Sequence, residues 1–296
     1  MDFTNAIDNH DEDISLRNVT LLNTYVTFAY ATMLIYDTMT SLDLEVKYVW
    51  WTQWSFIKAL YLWTRYSAYV SPALGLVYLG FAPGLTPRMC LNAVSAMLWI
   101  DACGIAISEI VLALRTYALW SRNRRVAIAV GVVYISKVIV VIFAMSKFLQ
   151  ETQITSIPGH PGCFFIGNGV LLKVCWSMLL FGESIWVTFM LVESYRIYKE
   201  IRSFPMLFKI VLTDGILYFV LLLVLVIVVI APAQSSSTLD LTVVLCTPAR
   251  IMYSVFIAHL ILHVKRVADP ELITEASQVT LSVTTFRVAR GTIARA

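Results

Sequence analysis

The chain has 296 residues, 59% hydrophobic and only 14% charged, with a mean hydropathy of +0.76. Soluble domains are about 45–50% apolar and about 25% charged, so a soluble globule, a disordered chain, a collagen and a small disulfide scaffold are excluded. The net charge of +3 is small and its basic residues lie in short loops, which argues against a nucleic-acid partner.

A bilayer-crossing helix needs about 20 mostly apolar residues. Seven stretches qualify: 19–36, 56–79, 91–112, 126–145, 170–192, 208–230 and 241–264. The fold class expected is all-α, a polytopic seven-transmembrane-helix bundle in contact with the lipid bilayer. Three regions follow: a polar extracellular segment at 1–17, a membrane domain at 18–266 and a cytoplasmic tail at 267–296. The start MDFTNAIDNHDEDIS has an acidic run and no basic n-region before an apolar h-region, so the first span is expected to act as an uncleaved targeting signal. Asn18-Val19-Thr20 fits the glycosylation pattern but abuts that span.

Lys and Arg in short loops face the cytoplasm. With the N-terminus outside, the inner segments hold Lys47, Arg122, Arg124, Arg125, Arg196, Lys199, Arg202, Lys209, Lys265 and Arg266, against Arg17, Arg88 and Lys147 outside. The bias puts the N-terminus outside and the C-terminus in the cytoplasm. It also favours an odd span count.

The first inner loop leads to Trp50, Trp51 and Trp54, read as interfacial anchors for the second helix. Pro72 and Pro248 fall inside the second and seventh stretches, where the missing backbone donor predicts kinks. Cys90, at the outer end of the third span, and Cys163, in the second outer loop, both face the oxidising side and are expected to form a disulfide. Cys103, Cys175 and Cys246 fall within spans and read as small packing residues. His259 and His263 share a helix face, but no third metal ligand accompanies them. No cofactor or metal is expected.

Charges at bilayer depth are costly and usually find partners or line a functional path. Arg65, Asp101, Lys137, Glu183 and Arg250 fall near mid-depth. Lys58 and Glu109 fall further in. The second and third helices are antiparallel neighbours, and Lys58 to Arg65 and Asp101 to Glu109 each span about two turns. Two stacked ion pairs, Arg65–Asp101 and Lys58–Glu109, are expected. Glu183 has Arg250 and Lys137 as candidate partners. Asp101, Glu183 and Arg250 are the candidate ligand-binding residues, and Arg115, Arg122, Arg124 and Arg125 the candidate cytoplasmic partner surface.

Three segments carry a resemblance. They are Tyr36-Asp37 with Leu42-Asp43, Glu45-Val46, Trp50, Leu60-Tyr61-Leu62 and Arg65-Tyr66; Glu109 with Leu114-Arg115, Tyr117-Ala118-Leu119-Trp120 and Arg122; and Asp214-Gly215-Ile216-Leu217-Tyr218-Phe219. Together they resemble a family of fungal seven-helix membrane proteins whose N-terminal part, here about 20–70, is a domain of unknown function. The resemblance implies seven helices and a receptor-like outline, and carries no established activity. That outline is also similar to G-protein-coupled receptors, with departures: no acidic residue directly precedes Arg115, the sixth helix has no Trp-x-Pro, and Pro248 and Tyr253 are at a different spacing.

The expected function is therefore a receptor-like protein of the plasma membrane. It would sense an unknown small extracellular ligand and act on a heterotrimeric G protein. The alternative is a transporter or lipid-handling protein that uses the mid-depth charges. An intramembrane enzyme ranks last, because no catalytic set appears.

Overall fold

The computed structural model describes residues 2–76, 86–120, 123–155, 164–166, 169–200, 206–235, 245–267 and 269. Helix α1 runs Asp2–Glu45 and loosens into a π-helical turn at Val46–Trp50. The polar residues expected as a separate segment at 1–17 thus continue the first helix from Asp2 onward. The second stretch forms α2 (Phe56–Tyr66), a 3₁₀ turn (Ser67–Tyr69) and α3 (Val70–Leu74). Then come α4 (Pro87–Leu119), α5 (Arg124–Glu151), β1 (Gln153–Thr155), β2 (Phe164–Ile166), α6 (Val170–Glu200), α7 (Met206–Ser235) and α8 (Cys246–Val267). The two short strands pair antiparallel, Thr155 opposite Phe164, and the hairpin packs against α4.

Local chemistry sets the helix starts. The Ser55 hydroxyl accepts from the Lys58 amide at 3.2 Å, and the Asn123 side chain accepts from the Arg125 amide at 3.0 Å. Both are N-caps, which satisfy amides that a helix leaves unpaired. Thr86 caps α4, with Pro87 at its first position, where a missing N–H costs nothing.

The two prolines behave differently. Pro72 disturbs its helix as expected: its ring crowds the carbonyl four residues back, at Ala68, inside the tightened turn. Pro248 does not. Helix α8 begins at Cys246, so Pro248 sits in its first turn, where no intrahelical donor is required.

Among the described residues, four helices are long and apolar enough to cross a membrane: Arg88–Leu119, Arg124–Glu151, Val170–Arg196 and Cys246–Arg266. Ile216–Val228 of α7 is a shorter apolar stretch. Helix α5 shows what its outer face meets. Ile128, Val132, Ile135, Ile139 and Phe143 recur every three or four residues and are each more than half exposed. One helix face carries them all, and such a stripe suits hydrocarbon rather than water. The protein is membrane-embedded.

Helix α8 is the most enclosed of these helices. It packs against α1, α2, α4 and α7, while α4 also meets α2, α3, α5 and α6. The core between them holds Leu98, Leu112, Trp186, Phe219, Leu222 and Ile257. Exposed Trp50, Trp51 and Trp54 fit the interfacial role expected of them, with the Lys58 ammonium 4.9 Å from the Trp54 ring centre.

Candidate functional site

The buried charges fall into three groups, and none uses the expected pairing. Asp37, Ser41 and Glu45 are spaced four apart on α1, so they share one face. Arg65 of α2 reaches all three. Its Nη1 donates to Asp37, its Nε to Glu45 Oε1 at 2.9 Å and its Nη2 to Ser41 Oγ at 2.5 Å. Tyr66 adds a hydrogen bond to Glu45 Oε2 at 3.1 Å. From α8, His259 Nε2 meets Asp37 Oδ1 at 2.7 Å. The Arg65 side chain is wholly buried. The expected Arg65–Asp101 pair is thereby replaced: α1 also runs antiparallel to α2, and its carboxylates lie at the depth of Arg65.

Lys58 does not pair with Glu109 either. Its ammonium donates to the carbonyls of Trp50 at 3.2 Å and Thr52 at 2.8 Å, at the turn entering α2. Nearby, Lys265 donates to the Tyr48 carbonyl at 2.7 Å. Lys47 lies 3.1 Å from Asp269. That hydrogen bond holds the exposed Lys47 ammonium above its ordinary range.

The second group surrounds Asp101 and Arg250. Asp101 Oδ1 accepts from Ser71 at 2.5 Å and Oδ2 from Thr247 at 3.5 Å. Arg250 Nη2 donates to the Thr64 carbonyl and to Ser67 Oγ, each at 2.8 Å. Ser254 donates to the same Thr64 carbonyl at 2.9 Å. Gly104 of α4 makes room for this arginine, because a Cβ there would overlap the guanidinium.

The third group is an ion pair between Glu109 of α4 and Lys137 of α5. Gly182 leaves space for the lysine: a Cβ there would lie 2.7 Å from Lys137 Nζ. Beside Gly182, Glu183 accepts from Tyr253 at 2.8 Å through its Oε1. Glu183 therefore takes a tyrosine of α8 rather than a hydrogen bond from Arg250 or Lys137.

Above the Glu109–Lys137 pair, α4, α5 and α6 enclose a cavity of about 190 Å³. Its wall is almost entirely apolar, with Asp101 and the Glu109–Lys137 pair as its charged members. Of the three candidate ligand residues only Asp101 lines it; Glu183 and Arg250 are buried elsewhere in the bundle. Cys103, Cys175 and Cys246 all line the cavity rather than simply filling the interior. Sequence spacing could not find this cavity, because its lining comes from four different helices.

Arg115 is half-buried in the last turns of α4 and faces Tyr218 of α7. Arg124 and Arg125 are exposed at the start of α5. Cys90 is fully buried in the first turn of α4. Cys163 and Arg122 lie outside the described residues.

Residues 25–70 match a family described as a family of unknown function (DUF6533). That stretch contains Asp37, Ser41, Glu45, Arg65 and Tyr66, so all of the first group except His259. No curated protein matches the sequence.

Proposed function

We propose that the chain is a seven-span, receptor-like membrane protein of the type its fungal resemblance implies. It binds a small ligand in the cavity between α4, α5 and α6 and carries its N-terminus outside the cell. Arg115, Arg122, Arg124 and Arg125 face a cytoplasmic partner, a heterotrimeric G protein, at the plasma membrane. Helix α1, the broken α2–α3 pair and α7 supply the three spans beyond the four long apolar helices. A Cys90–Cys163 bridge belongs to the same proposal. Its support is that β1, which pairs with the strand directly following Cys163, packs against the helix that carries Cys90.

One observation carries the choice over transport. A translocation path needs mid-depth charges that face a passage. Here Arg65 and Glu183 are engaged away from the cavity, and the three charges that line it, Asp101, Glu109 and Lys137, each hold a partner on a neighbouring helix. Charges engaged in this way fix helix register, and the cavity remains as the place for a ligand. A ligand that prefers one arrangement of the helices then shifts their population.

Affinity capture of the protein from native membranes tests this. The expected result is a G-protein α subunit that is retained more strongly after nucleotide depletion, released by guanine nucleotide and reduced by Arg115→Ala. Substrate flux in reconstituted vesicles, with no capture, would support the transporter reading instead.

A further inference from the structure

We propose that the cavity between α4, α5 and α6 admits its ligand sideways from the bilayer, and that this ligand is an apolar molecule bearing a hydroxyl group. The inference rests on the cavity being the ligand site and does not require a G protein.

The mouth of the cavity defines the route. Ile142 of α5 lines it and is 47% exposed. Cys103 of α4 lines it and is also exposed. Both residues lie well inside helices that are apolar enough to span the membrane, on the flank beside the α5 stripe of Ile135, Ile139 and Phe143. At that depth the medium outside is hydrocarbon, so a molecule dissolved in lipid reaches the opening directly.

Shape comes next. On α4 the lining runs from Leu98 to Glu109, and on α5 from Lys137 to Met145. At about 1.5 Å of rise per residue, the cavity is elongated along the membrane normal by about 12–16 Å. Its side wall of Leu98, Ile105, Val138, Val141 and Leu179 offers contact to a hydrocarbon body.

The polar requirement is set by three unmet groups of the cavity wall. Glu109 is 1% exposed and forms the inner end. One of its oxygens forms the ion pair with Lys137, while Oε1 has no hydrogen-bond partner and the Lys137 ammonium makes no hydrogen bond beyond that ion pair. On the α6 wall the buried indole N–H of Trp176 also has none. A buried acceptor or donor left unmatched is costly. A hydroxyl both donates and accepts, so it suits the Glu109 acceptor and the Lys137 and Trp176 donors alike. A pure hydrocarbon suits none of them. A ligand carboxylate would meet the like charge of Glu109, and a ligand ammonium would compete with Lys137.

The test uses purified full-length protein in lipid nanodiscs and a photoreactive long-chain primary alcohol. The controls are the matched methyl ether and the matched carboxylic acid. The alcohol should label peptides of α4 and α5 around Cys103 and Ile142, and excess unlabelled alcohol should compete. The ether and the acid should each label at least about tenfold less, the effect of losing one hydrogen bond to a charged group. The double variant Glu109→Gln/Lys137→Met, which leaves no unpaired charge, should lower alcohol labelling toward the ether level. Ala102→Phe, which fills the cavity, should abolish labelling by all three probes. Equal labelling by alcohol and ether, or labelling that maps elsewhere, overturns the proposal, and the ether comparison needs no variant. Failure here with intact G-protein capture would refute the ligand class alone. Loss of capture with intact labelling would refute the receptor role alone.

Discussion

Replacing Arg65 by methionine should lower stability by about 3–5 kcal/mol, the cost of removing one partner from a buried charge group. Asp37 and Glu45 would keep their carboxylates inside the bundle with no guanidinium between them, and Ser41 would lose its donor. Screening by salt should not soften the loss, because buried pairs are shielded far less than exposed ones. Thermal unfolding of the purified protein reads the effect, together with yield at the membrane. Adding Asp37→Asn and Glu45→Gln to Arg65→Met should recover most of the stability, since no unpaired charge then remains. An Arg65→Asp/Asp101→Arg exchange should rescue nothing, because Asp101 bonds Ser71 and Thr247 instead. Rescue by that exchange would contradict the α1–α2 clasp.

Gly104→Ala should be nearly as damaging despite adding a single methyl group. Its Cβ would occupy the space of the Arg250 guanidinium, which is wholly buried and cannot swing into solvent. Overpacking costs about 1–3 kcal/mol. Displacing Arg250 from the Thr64 carbonyl and Ser67 adds about 1.5–3 kcal/mol for each charged hydrogen bond lost, so a total of about 4 kcal/mol or more is expected. Gly131→Ala in α5 is the control, since a Cβ there meets nothing within 4 Å. It should be neutral or more stable by up to about 1 kcal/mol, the helix preference of alanine over glycine. In a double-mutant cycle with Arg250→Ala, the cost of Gly104→Ala should shrink sharply, because the collision partner is gone. Equal cost in both backgrounds would show that Gly104 does not serve Arg250.

Four of the seven expected stretches correspond to helices of spanning length and apolarity, because hydropathy over about 20 residues reports directly on the solvent a helix needs. The buried charges were equally legible as a class. Their partners were not. Matching depth between α2 and α4 alone leaves out α1, which also lies against this part of the bundle. The four-residue spacing of Asp37, Ser41 and Glu45 already marked a polar face on α1, and that face was the missing signal for Arg65. Lys137 could not be assigned to Glu109 from depth, because α5 and α6 offer cations and carboxylates at similar levels. Gly104 and Gly182 carry no sequence signal of their own: their role is to leave a void that a long cation fills. The apolar stretch begins at Leu241, before the start of α8 at Cys246, so hydropathy places Pro248 deeper in the helix than it lies. The cavity is lined from α4, α5, α6 and α8, so it is a property of packing between helices that no single helix encodes.

The receptor-like account depends first on seven crossings, with the two ends of the chain on opposite sides of the membrane. Protease protection of the full-length protein in sealed microsomal vesicles, with one tag at each terminus, tests this most directly. The account predicts that the N-terminal tag survives inside the lumen while the C-terminal tag is digested from the cytoplasmic face. Survival of both tags, or digestion of both, would establish an even number of spans and contradict it.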